Sequence, residues 1–141
     1  MLISKTPFRI SFFGGGTDLP QWYENNCGAV ISTTINKYCY ITCRTLPPLF
    51  EYQHRLVYSR MEAVNEINEI VHPGIRGVFE FLRVSRGLEV HHDGDLPART
   101  GLGSSSSFTV GLLNAIQAID GISKDPQILA EQAIHVERNV L

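Results

Sequence analysis

Leu96-Pro97-Ala98-Arg99-Thr100-Gly101-Leu102-Gly103-Ser104-Ser105-Ser106-Ser107 is the most specific stretch of this chain. Before it, Leu88, Val90 and His92 alternate with Glu89 and His91 and predict a strand; after it, Phe108, Leu112, Ala115, Ile116 and Ile119 predict an amphipathic helix that closes at Asp120-Gly121. Gly101 and Gly103 permit torsions and close approach that side chains forbid. A helix start beyond them offers unpaired N–H groups and the positive end of its dipole. That is the physics of an anion cradle. The serines add hydroxyls that can cap the helix, bond a phosphate or reach a Mg²⁺ ion. No lysine stands in GxxxxGK[ST] spacing, which excludes a Walker loop, and the serines lack the flanking glycine of a GxSxG elbow. On composition alone, a serine-capped Gly-Ser connection without a ligand fits as well.

Outward from the loop there is no internal repeat, no low-complexity segment besides Ser104 to Ser107 and no compositional linker, so the chain reads as one domain. Lys5 to Phe13 predicts a strand stopped by Gly14, Gly15 and Gly16. Asp18 ahead of Pro20, Trp22 and Tyr23 predicts a short helix with an acidic N-cap. Val30 to Ile35 and Tyr38 to Cys43 predict two strands of a hairpin turning at Asn36-Lys37. Leu56 to Tyr58 predicts a short strand, and Met61 to Val71 and Ile75 to Arg86 predict helices, the second closed by Gly87. A last helix starts at Asp125-Pro126 and carries Leu129, Ala133, Val136 and Val140 along one side. Val140-Leu141 leave that apolar side unfinished, and the chain is expected to be the front part of a longer protein. Strands early and helices late predict an α+β layered fold.

The 141 residues, 43% hydrophobic and 18% charged, can bury one core. A net charge of −2 and the absence of a Lys/Arg stripe argue against a nucleic-acid partner, so any anion must be held locally. The longest apolar stretch, Val110 to Ile119, is interrupted and too short for a membrane span, and no secretory signal is visible, which predicts a cytoplasmic protein without a membrane partner. Cys27, Cys39 and Cys43 form no CxxC pair and read as buried free thiols. His91-His92 point to opposite faces of a strand and cannot easily share a metal.

Pro97 to Ser105 resembles the phosphate-binding loop of the GHMP kinases, the small-molecule kinases that include galactokinase, homoserine kinase and mevalonate kinase: a proline, a few residues, then Gly-Leu-Gly-Ser-Ser. Thr6 to Asp18 is similar to that family's first motif, with Arg9 in its Pro-x-Arg and Thr17-Asp18 in its Thr-Asp. The triple glycine and the wording of Pro97 to Ser107 look most like the heptose 7-phosphate kinase branch. The resemblance implies a two-layer α/β sandwich of the ribosomal protein S5 domain 2-like type. It implies that Pro97, Arg99, Gly101, Leu102, Gly103, Ser104, Ser105 and Ser106 bind ATP, that Thr17 and Asp18 hold the sugar, and that Arg9 sits by the transferring phosphoryl group. Taken without the resemblance, Arg9 is a basic residue on a strand and Asp18 a helix cap.

Glu137 shares a helical face with Ala130, Ile134 and Leu141, which predicts a carboxylate among apolar neighbours, costly unless paired or bound to a cation. Glu137-Arg138 resembles a Glu-Arg pair that binds Mg²⁺ in the mevalonate kinase branch, implying a metal site of Ser105 and Glu137; pairing with a neighbouring cation is the alternative. The implied reaction moves the γ-phosphoryl of ATP to a hydroxyl of a sugar or sugar phosphate, heptose 7-phosphate among the candidates. Residues 1–141 would then be the ATP-binding N-terminal domain, inactive alone, because the family's Gly-x-x-Asp segment and C-terminal domain are not in the chain. Exposed apolar surface on such a piece predicts association with itself, as a homo-oligomer, or with other hydrophobic partners. The alternative reading is a non-catalytic nucleotide or sugar sensor.

Overall fold

A computed structural model describes residues 1–97 and 100–140. The elements run β1 (Leu2–Phe13), α1 (Pro20–Tyr23), β2 (Ile31–Thr45), β3 (His54–Val57), β4 (Met61–Val64), α2 (Pro73–Leu82), β5 (Leu88–Gly94), α3 (Ser104–Ile119) and α4 (Pro126–His135), with a π turn over Val136–Val140. The strands form one five-stranded sheet in the order β1-β2-β5-β3-β4. β3 and β5 are parallel and the other pairs antiparallel. A parallel pair needs a crossover, and residues 58–87, which contain β4 and α2, supply it.

Period-two burial in β2 decides which face the helices cover. Cys39, Ile41 and Cys43 are fully buried, with Leu56 of β3 and Leu88 and Val90 of β5, against Leu112, Leu113 and Ile116 of α3 and Ile75, Val78 and Phe79 of α2. On the other face the buried Glu89 carboxylate is held by Arg44 and Arg55, its cross-strand partners, and by His91 Nε2 at 2.7 Å. His91 and His92 therefore serve opposite faces, His92 lying edge-on to Phe108. This is the two-layer α/β architecture that the sequence implied.

Four local expectations fail for tertiary reasons. Residues 31–45 are one strand, not a hairpin, because β1 runs beside both halves. The surplus residues are absorbed where Pro7 pairs with Tyr38 but Arg9 with Thr34, a bulge at the proline that cannot donate to the ladder. Met61 to Val64 is an edge strand rather than the start of a helix, since β3 offers it a ladder, and only a 3₁₀ turn at Ile67–Glu69 follows. α2 ends at Leu82, where Arg83 takes a left-handed conformation (φ 52°), before Gly87 is reached. Asp18 does not cap α1: Leu19 occupies the N-cap, and Asp18 Oδ1 accepts the Gly16 N–H at 3.1 Å. The thiols also divide. Burial pushes Cys39 up to about 11 and Cys43, likewise chiefly through burial, to about 12, while Cys27 is exposed.

Candidate functional site

α3 begins at Ser104 because Gly103 turns the chain there with φ 72°, preceded by Gly101 at φ 74°. Gly103 caps the helix with no side-chain acceptor, so the N–H groups of the first turn remain available to an anion. The expected serine cap is absent because Gly103 occupies the N-cap and the serines begin one position inside the helix. Ser107 Oγ donates to Pro7 O at 2.9 Å and ties the helix start to β1. Arg9 reaches the loop twice: its backbone N–H donates to Leu102 O at 3.0 Å, and its side chain packs so closely on Gly103 that a Cβ there would lie 2.8 Å from Arg9 Cγ. Arg9 also bonds the Ser11 hydroxyl. Pro97 is exposed, and Arg99 lies outside the described residues.

Ser105 Oγ stands 3.4 Å from Glu137 Oε1, and Ser106 Oγ 3.3 Å from Glu137 Oε2. The route to this meeting differs from the periodicity argument. Ala130 and Ile134 are exposed, and the buried side of α4 is the one bearing Ala133 and Val136. Glu137 comes to the serines in the π turn that follows α4, which carries it off the simple α-helical progression. Arg138, beside it, donates from Nη2 to Asp18 O at 2.6 Å and from Nη1 to Tyr23 Oη at 2.9 Å. The loop carrying Thr17 and Asp18 is thus fastened to the turn carrying Glu137. Thr17 Oγ1 lies 2.7 Å from Gly14 O and accepts the Ala29 N–H at 3.2 Å, holding the glycine turn closed, while the Asp18 carboxylate is exposed.

Against the α3 N-terminus lies a recess of about 240 Å³ walled by His72, Pro73, Gly74, His92, Ser105 and Phe108. It shares His72, Pro73 and His92 with a wider cavity of about 650 Å³ that also touches Tyr58 and Arg60. The His72 ring stands edge-on to Tyr58 (4.8 Å) and tilted against Phe108 (5.1 Å). Its Nδ1 accepts the Ile75 N–H at 3.2 Å, capping α2, so the neutral ring carries its proton on Nε2. Burial pushes His72 below the usual histidine value, partly opposed by Glu62; burial and then the neighbouring His72 push His92 down, with Asp93 opposing. Both rings are neutral near pH 7 and present a flat, weakly polar wall.

Residues 61–141 match the family described as GHMP kinases N terminal domain, which is more than half of the chain. The chain belongs to the GHMP kinases. It is 26% identical to the D-glycero-alpha-D-manno-heptose 7-phosphate kinase of Campylobacter jejuni, over 98% of this chain and 43% of that protein. The fold superposes on a D-glycero-D-manno-heptose 1-phosphate kinase from Bacteriodes thetaiotaomicron with TM-score 0.83 at 22% identity, covering 98% of this chain and 48% of that one. On the Streptococcus pneumoniae phosphomevalonate kinase solved with phosphomevalonate and AMPPNP the TM-score is 0.68 at 16% identity, covering 96% and 42%. The chain spans about half the length of these relatives.

Within this GHMP kinase domain, Arg9, Gly101 to Ser106 and Glu137 converge on one rim, and Arg138 joins Asp18 to it. The sequence reading missed Arg138 as a tie and His72 as a wall. Proline at position 73, one residue into α2, is a helix-start signal that would have pointed to His72. One carboxylate with two hydroxyls suits Mg²⁺, which keeps waters and takes its other oxygens from a bound phosphate; among the described residues no cluster of three or more His, Cys, Asp or Glu could cage an ion. Among the described residues no helix is long and apolar enough to cross a membrane.

Proposed function

We propose that residues 1–141 form the nucleotide-binding domain of an ATP-dependent sugar or sugar-phosphate kinase, heptose 7-phosphate being the favoured acceptor. The observation that carries this reading is the convergence of Glu137 on Ser105 and Ser106 at the start of α3, beside the Gly101–Gly103 turn. The α3 N–H groups and dipole would hold the phosphates of ATP, the recess at His72 and Phe108 would take its base, and Ser105 and Glu137 would hold Mg²⁺. ATP with Mg²⁺ would supply the transferable phosphoryl group and neutralise its charge.

The residues of the chain position and neutralise. Arg9, tied to Leu102, would keep a guanidinium at the loop without a Walker lysine. Asp18 has an exposed carboxylate on a loop fastened by Arg138, placed to accept hydrogen bonds from sugar hydroxyls. The Campylobacter relative named for heptose 7-phosphate supports the choice of acceptor. An ADP-release assay of a full-length protein carrying these residues, beside residues 1–141 alone, against a panel of sugars and sugar phosphates tests the reading. Turnover dependent on a heptose phosphate is expected of the full-length protein and weak or no turnover of residues 1–141; nucleotide turnover indifferent to every sugar, or robust sugar-dependent turnover by residues 1–141, would overturn it.

A further inference from the structure

We propose that Glu62 is a positioning residue for the nucleotide: one carboxylate that fixes Tyr58 and His72 on the wider cavity and, through His72, one wall of the recess beside Ser104 and Ser105. The inference rests on reading that recess as the site of the base. Glu62 sits on β4, a four-residue edge strand paired with β3 and packed on the core only through Val64, Met61 being 64% exposed. Its carboxylate accepts the Val71 N–H at 2.6 Å, the His72 N–H at 3.1 Å and the Tyr58 hydroxyl at 2.6 Å. Partial burial raises the Glu62 carboxyl, but these three donors outweigh it and hold the group below the usual carboxylate range.

The three bonds converge on the wider cavity, which shares His72 with the recess. Tyr58 and His72 both line the wider cavity and stand edge-on to one another, so a single anion sets the position of each and the spacing between them. The amides that Glu62 holds lie just before Pro73, where α2 starts, and the same His72 then caps that helix through Nδ1. Fully buried Ile70 anchors the segment from the core side, and Glu62 anchors it from the outside. No ligand contact by Glu62 itself is required. Its role is to hold His72 against Phe108, the ring that the narrower recess shares with the start of α3.

Glu62→Gln in a full-length protein carrying these residues tests this, because the amide replaces one acceptor oxygen by a donor facing a donor. Calorimetry with a non-hydrolysable ATP analogue and Mg²⁺ should show nucleotide affinity falling roughly tenfold or more, as for loss of a hydrogen bond to a charged group. KM for ATP should rise to match, while kcat at saturating ATP and affinity for the sugar change less than about twofold. Tyr58→Phe, which removes one of the three bonds, should show a smaller loss of the same kind. Glu69→Gln is the control: Glu69 caps the neighbouring 3₁₀ turn through the Asn65 and Glu66 amides without touching residues 71 and 72, and should leave nucleotide affinity unchanged. Wild-type affinity in Glu62→Gln would overturn the proposal alone, as would equal losses for nucleotide and sugar or an equal loss in Glu69→Gln. Absence of nucleotide binding by the wild-type chain would overturn the functional reading and this inference together.

Discussion

Adding a methyl group at Gly103 and at Gly101 separates two demands that the loop makes on glycine. Both residues have left-handed torsions, φ 72° and 74°, so alanine at either place pays a similar backbone cost of about 1–2 kcal/mol, partly offset by the stiffer unfolded chain. At Gly101 none of the described residues lies within 4 Å of the new Cβ, and the torsional cost is the effect expected there. At Gly103 the Cβ would meet Arg9 Cγ at 2.8 Å and Nε at 3.3 Å. The Cγ lies too near the backbone to swing clear without leaving its rotamer, which adds roughly 1 kcal/mol. The Arg9 amide is bonded to Leu102 O, so the strain passes into the loop itself. Urea unfolding of the two alanine variants, at equal m-value, should therefore place Gly103→Ala about 1 kcal/mol below Gly101→Ala. The difference should vanish when Arg9→Ala is present in both backgrounds. In calorimetry with ATP and Mg²⁺, Gly103→Val should abolish binding. Equal stabilities of the two alanine variants, or undiminished nucleotide affinity in Gly103→Val, would refute the argument that Arg9 and Gly103 are fitted to each other around the phosphates.

Glu137→Gln should remove the Mg²⁺ dependence of nucleotide affinity in a metal titration, and an unchanged dependence would take Glu137 out of the metal site. Asp18→Asn retains the acceptor for the Gly16 amide but loses the charge; it should weaken sugar binding by roughly 1.5–3 kcal/mol with little effect on ATP, whereas equal losses would mean a damaged loop. Leu113→Ala, at a fully buried position of α3, should cost about 2–5 kcal/mol in denaturant unfolding. His54, His72 and His92 are each held, first by burial, below the ordinary 6.5, so the unfolded chain binds more protons than the folded one just below that pH. Their contribution is complete above pH 6.5 and is lost as the pH falls through the folded values, with a slope of up to about 1.4 kcal/mol per pH unit for each residue. A melting temperature unchanged between pH 7 and pH 5 would contradict this.

The sequence by itself determined those features that a few neighbouring residues can enforce. Gly-Leu-Gly-Ser demands left-handed turns and then permits a helix, so the glycine turn and the start of α3 were legible from residues 101 to 105. Asp125-Pro126 starts α4 with a cap that reaches only two residues along, Asp125 Oδ1 accepting the Gln127 N–H. The buried side of α4 followed from its 3.6-residue period at Ala133 and Val136. Tertiary structure decided what depends on a distant partner. Asn36-Lys37 reads as a turn until β1 is laid beside it, and Met-Glu-Ala-Val as a helix until β3 offers its ladder. The site was divided in the same way. Arg9, Asp18, the loop and Glu137 could be picked out by kind, but their meeting could not. Glu137 comes to Ser105 and Ser106 in a π turn, Arg138 reaches Asp18 across 120 residues of sequence, and His72 is set by a carboxylate ten residues earlier. Torsional preference and periodicity act within a turn or two of chain. Hydrogen bonds that close such long loops form only where packing of the whole sheet and its helices has already paid the entropy of bringing their ends together.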